Sequence, residues 1–180
     1  MATQARLPPI ERLNALAPQE LAQVLRPLFE AAPPLAEALA RARPFRSYAE
    51  LLEQASVLVL ELPEAQQVEV LNGHPRIGEN IQAVRRTSTL SYREQGYDQE
   101  AQLEPDEVAR IYRELAELNR VYEERFGFRF VVFVNRRPKS AIIDVLRQRL
   151  QRERDEELRT GLEEMLAIAR DRLRVLSAEC

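Results

Sequence analysis

The sequence is short of reactive side chains: its 180 residues contain one histidine, one cysteine and no tryptophan. The cysteine is Cys180, so no intramolecular disulfide and no thiolate zinc site can be built. With His74 as the sole histidine, two-histidine metal sites and HExxH enzymes are excluded as well. Lys139 is the one lysine, and any imine chemistry would have to use it. A carboxylate-rich Mg²⁺ site remains open on composition. A formal charge of -3 and a pI near 5.5 give no basic field for nucleic acid. No run approaches the ~20 apolar residues of a membrane span. The N-terminus has no charged-then-apolar signal, and Ala178-Glu179-Cys180 is not a Ser-Lys-Leu address. The expectation is a cytoplasmic protein without a membrane partner.

What is present is proline early and helical periodicity throughout. Nine of the 11 prolines fall at or before Pro75, which predicts short helices first and longer ones later. Leu21, Val24, Leu25, Leu28 and Phe29 form one stripe after Pro18. Leu51, Leu52, Ala55, Leu58 and Val59 form a second, apolar over much of its circumference and expected to be well buried. A segment from Glu64 to Asn72 stops at Gly73. Pro105 suits a first helical turn, with Val108, Ile111, Leu115, Leu118, Tyr122 and Phe126 tracing the face behind it. Ser140 could cap a helix bearing Ile142, Leu146 and Leu150, and a last helix runs from about Asp155 to Leu176. This organisation predicts an all-α, compact single-domain helical bundle over 13–176, with loosely ordered tails at 1–12 and 177–180.

Phe128 to Val134 breaks the rhythm. The stretch is aromatic and β-branched, bounded by Gly127 and Asn135, and it is the one short extended segment. Without an evident partner strand its backbone groups need bonds. They could pair in a dimer, stay solvated, or face a polar ligand.

Three places could carry chemistry. His74 precedes a proline and is expected just past a helix end, where the dipole favours imidazolium. It could serve as an acid, contact an anion, or be a surface or capping residue. Ser91 and Glu94 have capping-box spacing. They could simply start a helix, or place Glu94 and Gln95 against a pocket where a carboxylate tunes His74. Leu158, Leu162, Met165, Ala169, Arg172 and Leu176 form a stripe in which Arg172 is the one charge. Its guanidinium could snorkel, pair with an acid, or hold an anionic ligand.

His74-Pro75-Arg76-Ile77-Gly78-Glu79, Ser91-x-x-Glu94-Gln95, Tyr122-x-x-x-Phe126-Gly-Phe-x-Phe130 and Ile168-Ala-x-x-Arg172-Leu173 occur in this order. So do Leu13-Asn14 and Arg43-Pro44-Phe45 upstream, and Arg149-Leu150 downstream. The pattern resembles the OHCU decarboxylases (2-oxo-4-hydroxy-4-carboxy-5-ureidoimidazoline decarboxylases) of urate breakdown, over roughly residues 13 to 176. The resemblance implies an all-helical homodimer that works without metal or organic cofactor. It would convert a small ureidoimidazoline to (S)-allantoin. It implies His74, Glu94 and Arg172 as the catalytic residues. Pro75, Ser91, Tyr92, Arg93, Gln95 and the stretch Phe130, Val131, Val132, Phe133 and Val134 would contact substrate, the last partly through backbone.

The chain departs from the family at three places. Many members have His-Pro-Asp-Leu-Ala-Gly where this one has Arg76 and Ile77. Gly96-Tyr97-Asp98 replaces a frequent Ala-Gly step, and Arg136 stands where a glycine usually follows the asparagine. A non-catalytic helical interaction module and a decarboxylase of a related ureido acid are the alternatives.

Overall fold

The prolines and apolar stripes become helices in the computed structural model, which describes residues 7–79 and 104–178. The described helices are α1 (Ile10–Asn14), α2 (Pro18–Phe29), α3 (Pro33–Ala42), α4 (Tyr48–Glu61), α5 (Glu64–Asn72), α6 (Pro105–Phe126), α7 (Lys139–Arg149) and α8 (Arg154–Ala178). Among the described residues none joins a sheet ladder, and no helix is long and apolar enough to cross a membrane. The fold class is all-α, as the periodicity predicts. The chain forms two compact units, one of residues up to His74 together with those from Leu162, the other spanning Pro75–Gly161.

In the first unit α3 packs against α2, α4 and α5. Leu21, Leu28, Leu35, Leu39, Leu51 and Val59 are completely buried there. Pro18 opens α2, and the Glu20 carboxylate accepts the Ala17 N–H at 3.0 Å, satisfying one orphan donor of the first turn. Ser47 caps α4 by accepting the Glu50 N–H at 3.1 Å, while Glu50 accepts the Arg46 N–H at 2.6 Å. The second stripe is well buried, with Leu51, Leu52, Ala55 and Val59 buried and Leu58 half-buried, while Val57 and Leu60 on the other side of α4 are 52% and 41% exposed. α3 begins at Pro33-Pro34 and is amphipathic, burying Leu35, Ala36, Ala38 and Leu39.

Two of the motifs that carry the resemblance are structural clamps here. Asn14 donates to the Phe45 carbonyl at 2.7 Å and accepts the Phe45 N–H at 2.9 Å. Arg43 donates to the carbonyls of Leu16 at 2.6 Å and Asn14 at 3.2 Å. The Arg43-Pro44-Phe45 segment is thereby fastened to the end of α1 and the turn after it. Backbone groups that a loop would leave exposed are paired.

The second unit is built on α6, which packs against α7. Pro105 opens α6 and Gly127 closes it in the left-handed conformation, φ 81°, donating its N–H to the Glu123 carbonyl at 2.8 Å. The next stretch contains no helix, yet Phe128, Phe130, Val131, Val132 and Val134 are buried. Tyr122 lies 4.6 Å from Phe126 and 5.2 Å from Phe130, ring centre to ring centre. Three of its carbonyls accept from arginine side chains. Arg149 donates to the Val131 carbonyl at 2.9 Å, and Arg137 donates to Phe133 at 2.6 Å and Val134 at 3.1 Å. α7 starts one residue earlier than its expected cap. Pro138 is the N-cap, so Ser140 lies inside the first turn.

Asn135 and Arg136 follow with positive φ, 46° and 60°. The glycine that the resemblance leads one to expect at position 136 would suit that conformation, whereas a left-handed non-glycine residue costs ~1–2 kcal/mol. Gly loses ~0.5–1 kcal/mol more entropy on folding. Arg136→Gly is therefore expected to raise stability by about 0.5–1 kcal/mol, read as a higher urea midpoint at unchanged m-value. A lowered midpoint would mean that the Arg136 side chain holds the turn.

Candidate functional site

α5 ends at Gly73, and the reason for glycine differs from the one its position suggests. Its φ of -71° is ordinary, but a Cβ there would lie 2.0 Å from the Ala31 carbonyl oxygen. Glycine lets the end of α5 touch the turn between α2 and α3. Gly73→Ala must push one backbone segment off another. It is expected to cost stability at the upper end of the ~1–3 kcal/mol typical of overpacking, and a wild-type urea midpoint would show that the segments separate freely.

That close approach delivers His74. Its N–H donates to the Leu71 carbonyl at 3.1 Å, prolonging the last turn of α5. The side chain is 4% exposed and both ring nitrogens are covered. The single histidine is thus not a surface cap.

The same inter-helix turn receives Arg172. Its Nη2 lies 2.8 Å from the Glu30 carboxylate, and the two side chains are 2% and 7% exposed. Its Nη1 donates to the Pro27 carbonyl at 3.4 Å, in the last turn of α2, where carbonyls lack helical partners and the dipole favours a cation. Of the three outcomes open for Arg172, pairing with an acid is the one observed. Glu30 has a rare backbone conformation for a residue with a side chain, φ 57° and ψ -147°. Sequence reasoning missed it. The available signal was a lone acid inside Leu28-Phe29-Glu30-Ala31-Ala32-Pro33.

The rest of the histidine motif belongs to the second unit, where it is tied to α6. Arg76 binds Glu123 with two hydrogen bonds, 2.6 Å and 2.9 Å, which hold its pKa above the usual arginine value. Asn119, buried on α6, donates to the Ile77 carbonyl at 2.9 Å. A cleft of about 380 Å³ is lined by Arg76, Ile77, Gly78, Glu79, Asn119 and Glu123. The departure at Arg76 therefore has a partner: the arginine and Glu123 form a bidentate pair.

Pro75 is half-buried. Phe130, Val131, Val132 and Val134 are buried and Phe133 half-buried, in the conformation that Arg137 and Arg149 fix. Ser91, Tyr92, Arg93, Glu94 and Gln95 lie outside the described residues, as do Gly96-Tyr97-Asp98.

A helical chain that buries a histidine, and places a carboxylate-paired arginine on the turn its neighbouring glycine touches, has groups for proton transfer and for holding an anion. The family model described as OHCU decarboxylase matches residues 14–174, and the chain belongs to that family. It is 34% identical over 164 residues to the uric acid degradation bifunctional protein PucL of Bacillus subtilis (strain 168), covering 91% of this chain but 32% of PucL. The chain thus spans about a third of that relative. It is 30% identical to the 2-oxo-4-hydroxy-4-carboxy-5-ureidoimidazoline decarboxylase of Haloferax volcanii, covering 91% of this chain and 93% of the archaeal one. The fold is similar to that of a crystal structure of OHCU decarboxylase in the presence of (S)-allantoin, with TM-score 0.63 and 18% identity over 84% of this chain and 96% of the other.

Proposed function

We propose that this protein is a decarboxylase that converts 2-oxo-4-hydroxy-4-carboxy-5-ureidoimidazoline to (S)-allantoin in urate degradation. The family match across residues 14–174 is the observation that carries this reading, and it also supports treating 13–176 as one domain. The substrate has a tertiary carbon bearing hydroxyl and carboxylate beside a ring C=N bond. The bond to the carboxylate breaks, CO₂ leaves, and the electron pair enters the ring C=N. The ring nitrogen that receives the pair takes up a proton, the hydroxyl proton is removed as the carbonyl forms, and a proton is delivered to one face of the neighbouring ring carbon. Net, one proton is taken up. The substrate supplies its own electron sink, so the protein needs to supply orientation and proton transfer.

In this reading His74 and Glu94 form the proton-handling pair, and Arg172 holds a substrate oxygen while charge redistributes. Pro75, Ser91, Tyr92, Arg93, Gln95 and Phe130–Val134 contribute substrate contacts, the role the resemblance gives those positions. The burial of His74 and the buried pairing of Arg172 support these assignments, because neither group is placed as a solvated surface charge. A homodimer and a cytoplasmic location belong to the same reading, and light scattering of the purified protein checks the first.

Freshly generated substrate tests the activity. The protein is expected to speed its disappearance and yield optically active allantoin. Racemic product at the spontaneous rate would replace the enzyme with a binding module.

A further inference from the structure

We infer that Glu30 is a positioning residue for the reaction, fixing the plane and reach of the Arg172 guanidinium, an inference that rests on Arg172 holding substrate. Three observations carry it. The pair is direct at 2.8 Å and almost fully buried on both sides, so solvent does not compete for either partner. The Pro27 carbonyl adds a second contact to the same guanidinium. Two contacts on one planar fork set its orientation, which one would leave rotating. Finally, the Glu30 backbone has φ 57° and ψ -147°, a region that residues with a side chain rarely occupy. Glycine would be cheaper there. The carboxylate stands in that strained position at the C-terminal end of α2, where the dipole disfavours an anion. Both costs are offset by what the carboxylate holds.

The location adds a consequence. Gly73 touches Ala31, the residue after Glu30, so the turn that orients Arg172 also abuts the backbone that carries His74. Glu30 is therefore part of the frame that both proposed catalytic groups share. Its removal acts on the reaction through Arg172 and makes no contact with substrate.

The test uses the full chain and guanidinium ion as the probe. Glu30→Gln keeps size and a hydrogen-bond acceptor but loses the charge, and is expected to lower kcat ~10²-fold, the cost of a misplaced group, while KM changes little. Arg172→Ala removes the guanidinium, and added guanidinium ion is expected to restore part of its turnover by occupying the site beside Glu30. The double variant Glu30→Gln/Arg172→Ala is expected to show no such rescue. A merely structural glutamate would not move that difference once rates are scaled to the folded fraction by circular dichroism. Equal response of the single and double variants at every guanidinium concentration overturns the inference, as does wild-type kcat in Glu30→Gln. Should Glu30→Gln not fold, Glu30→Asp keeps the charge and retracts the carboxylate by one methylene. It is expected to fold and lose turnover, and wild-type kcat there overturns the inference too. Wild-type stereoselective turnover by Arg172→Ala would instead remove Arg172 from the proposed mechanism.

Discussion

Replacing His74 with asparagine is expected to lower stereoselective turnover by ~10²–10⁴-fold, the usual contribution of a general acid–base group, while the fold survives. Asparagine keeps a polar side chain at a site that is 4% exposed but cannot exchange a proton near neutral pH. The backbone around it depends on other residues: the N–H of position 74 bonds to Leu71, and the approach to Ala31 belongs to Gly73. The smaller side chain leaves some unfilled volume, so a loss of about 1 kcal/mol is expected, lowering the unfolding midpoint by ~2–4 °C in a chain of this size. Polarimetry of the product during catalysed decay separates the outcomes. Optically active (S)-allantoin at the wild-type rate would sink the assignment. Racemic product from a folded variant would fit it.

Helix ends set by backbone chemistry were readable from sequence. Pro105 opens α6 and Gly127 closes it because the first lacks an N–H and the second tolerates positive φ. Gly73 was readable as a stop, but the requirement at that site is room for Ala31, a contact between segments far apart in the chain. Arg172 stood out because periodicity alone placed a charge on an apolar stripe. Its partner did not, since Glu30 belongs to no pattern that reaches α8. Ser140 misled because a proline two residues earlier had already fixed the start of α7. The catalytic assignments came from ordered motifs, and of their residues the described structure places His74 and Arg172 but not Glu94.

The extended segment was legible as an anomaly, and what satisfies its backbone explains the largest stability effect expected in this chain. Glu157 is completely buried. It lies 2.8 Å from Arg149, accepts the Tyr122 hydroxyl at 2.5 Å, and also meets Arg152 at 3.5 Å. Burial is the main cause of a raised Tyr122 pKa, so the phenol remains a donor. Arg149 in turn donates to the Val131 carbonyl and lies 4.7 Å over the Phe130 ring. One carboxylate thus joins α6, α7, the start of α8 and the proposed substrate-contacting stretch. Glu157→Ala strands a buried guanidinium and a buried hydroxyl, so it is expected to cost ~3–5 kcal/mol, a large share of the ~5–15 kcal/mol total of a typical protein. Replacing the charged pair together, as Arg149→Met with Glu157→Leu and Tyr122→Phe, is expected to recover much of that loss, because no charge is then left unpaired. Turnover should not recover with it, since Val131 loses the bond that holds its segment. Urea unfolding and turnover measured side by side test both halves. A loss below about 1 kcal/mol in Glu157→Ala would show that water reaches Arg149 and that the network is weaker than its geometry. Recovery of turnover in the triple variant would show that packing of Phe130 alone positions the stretch.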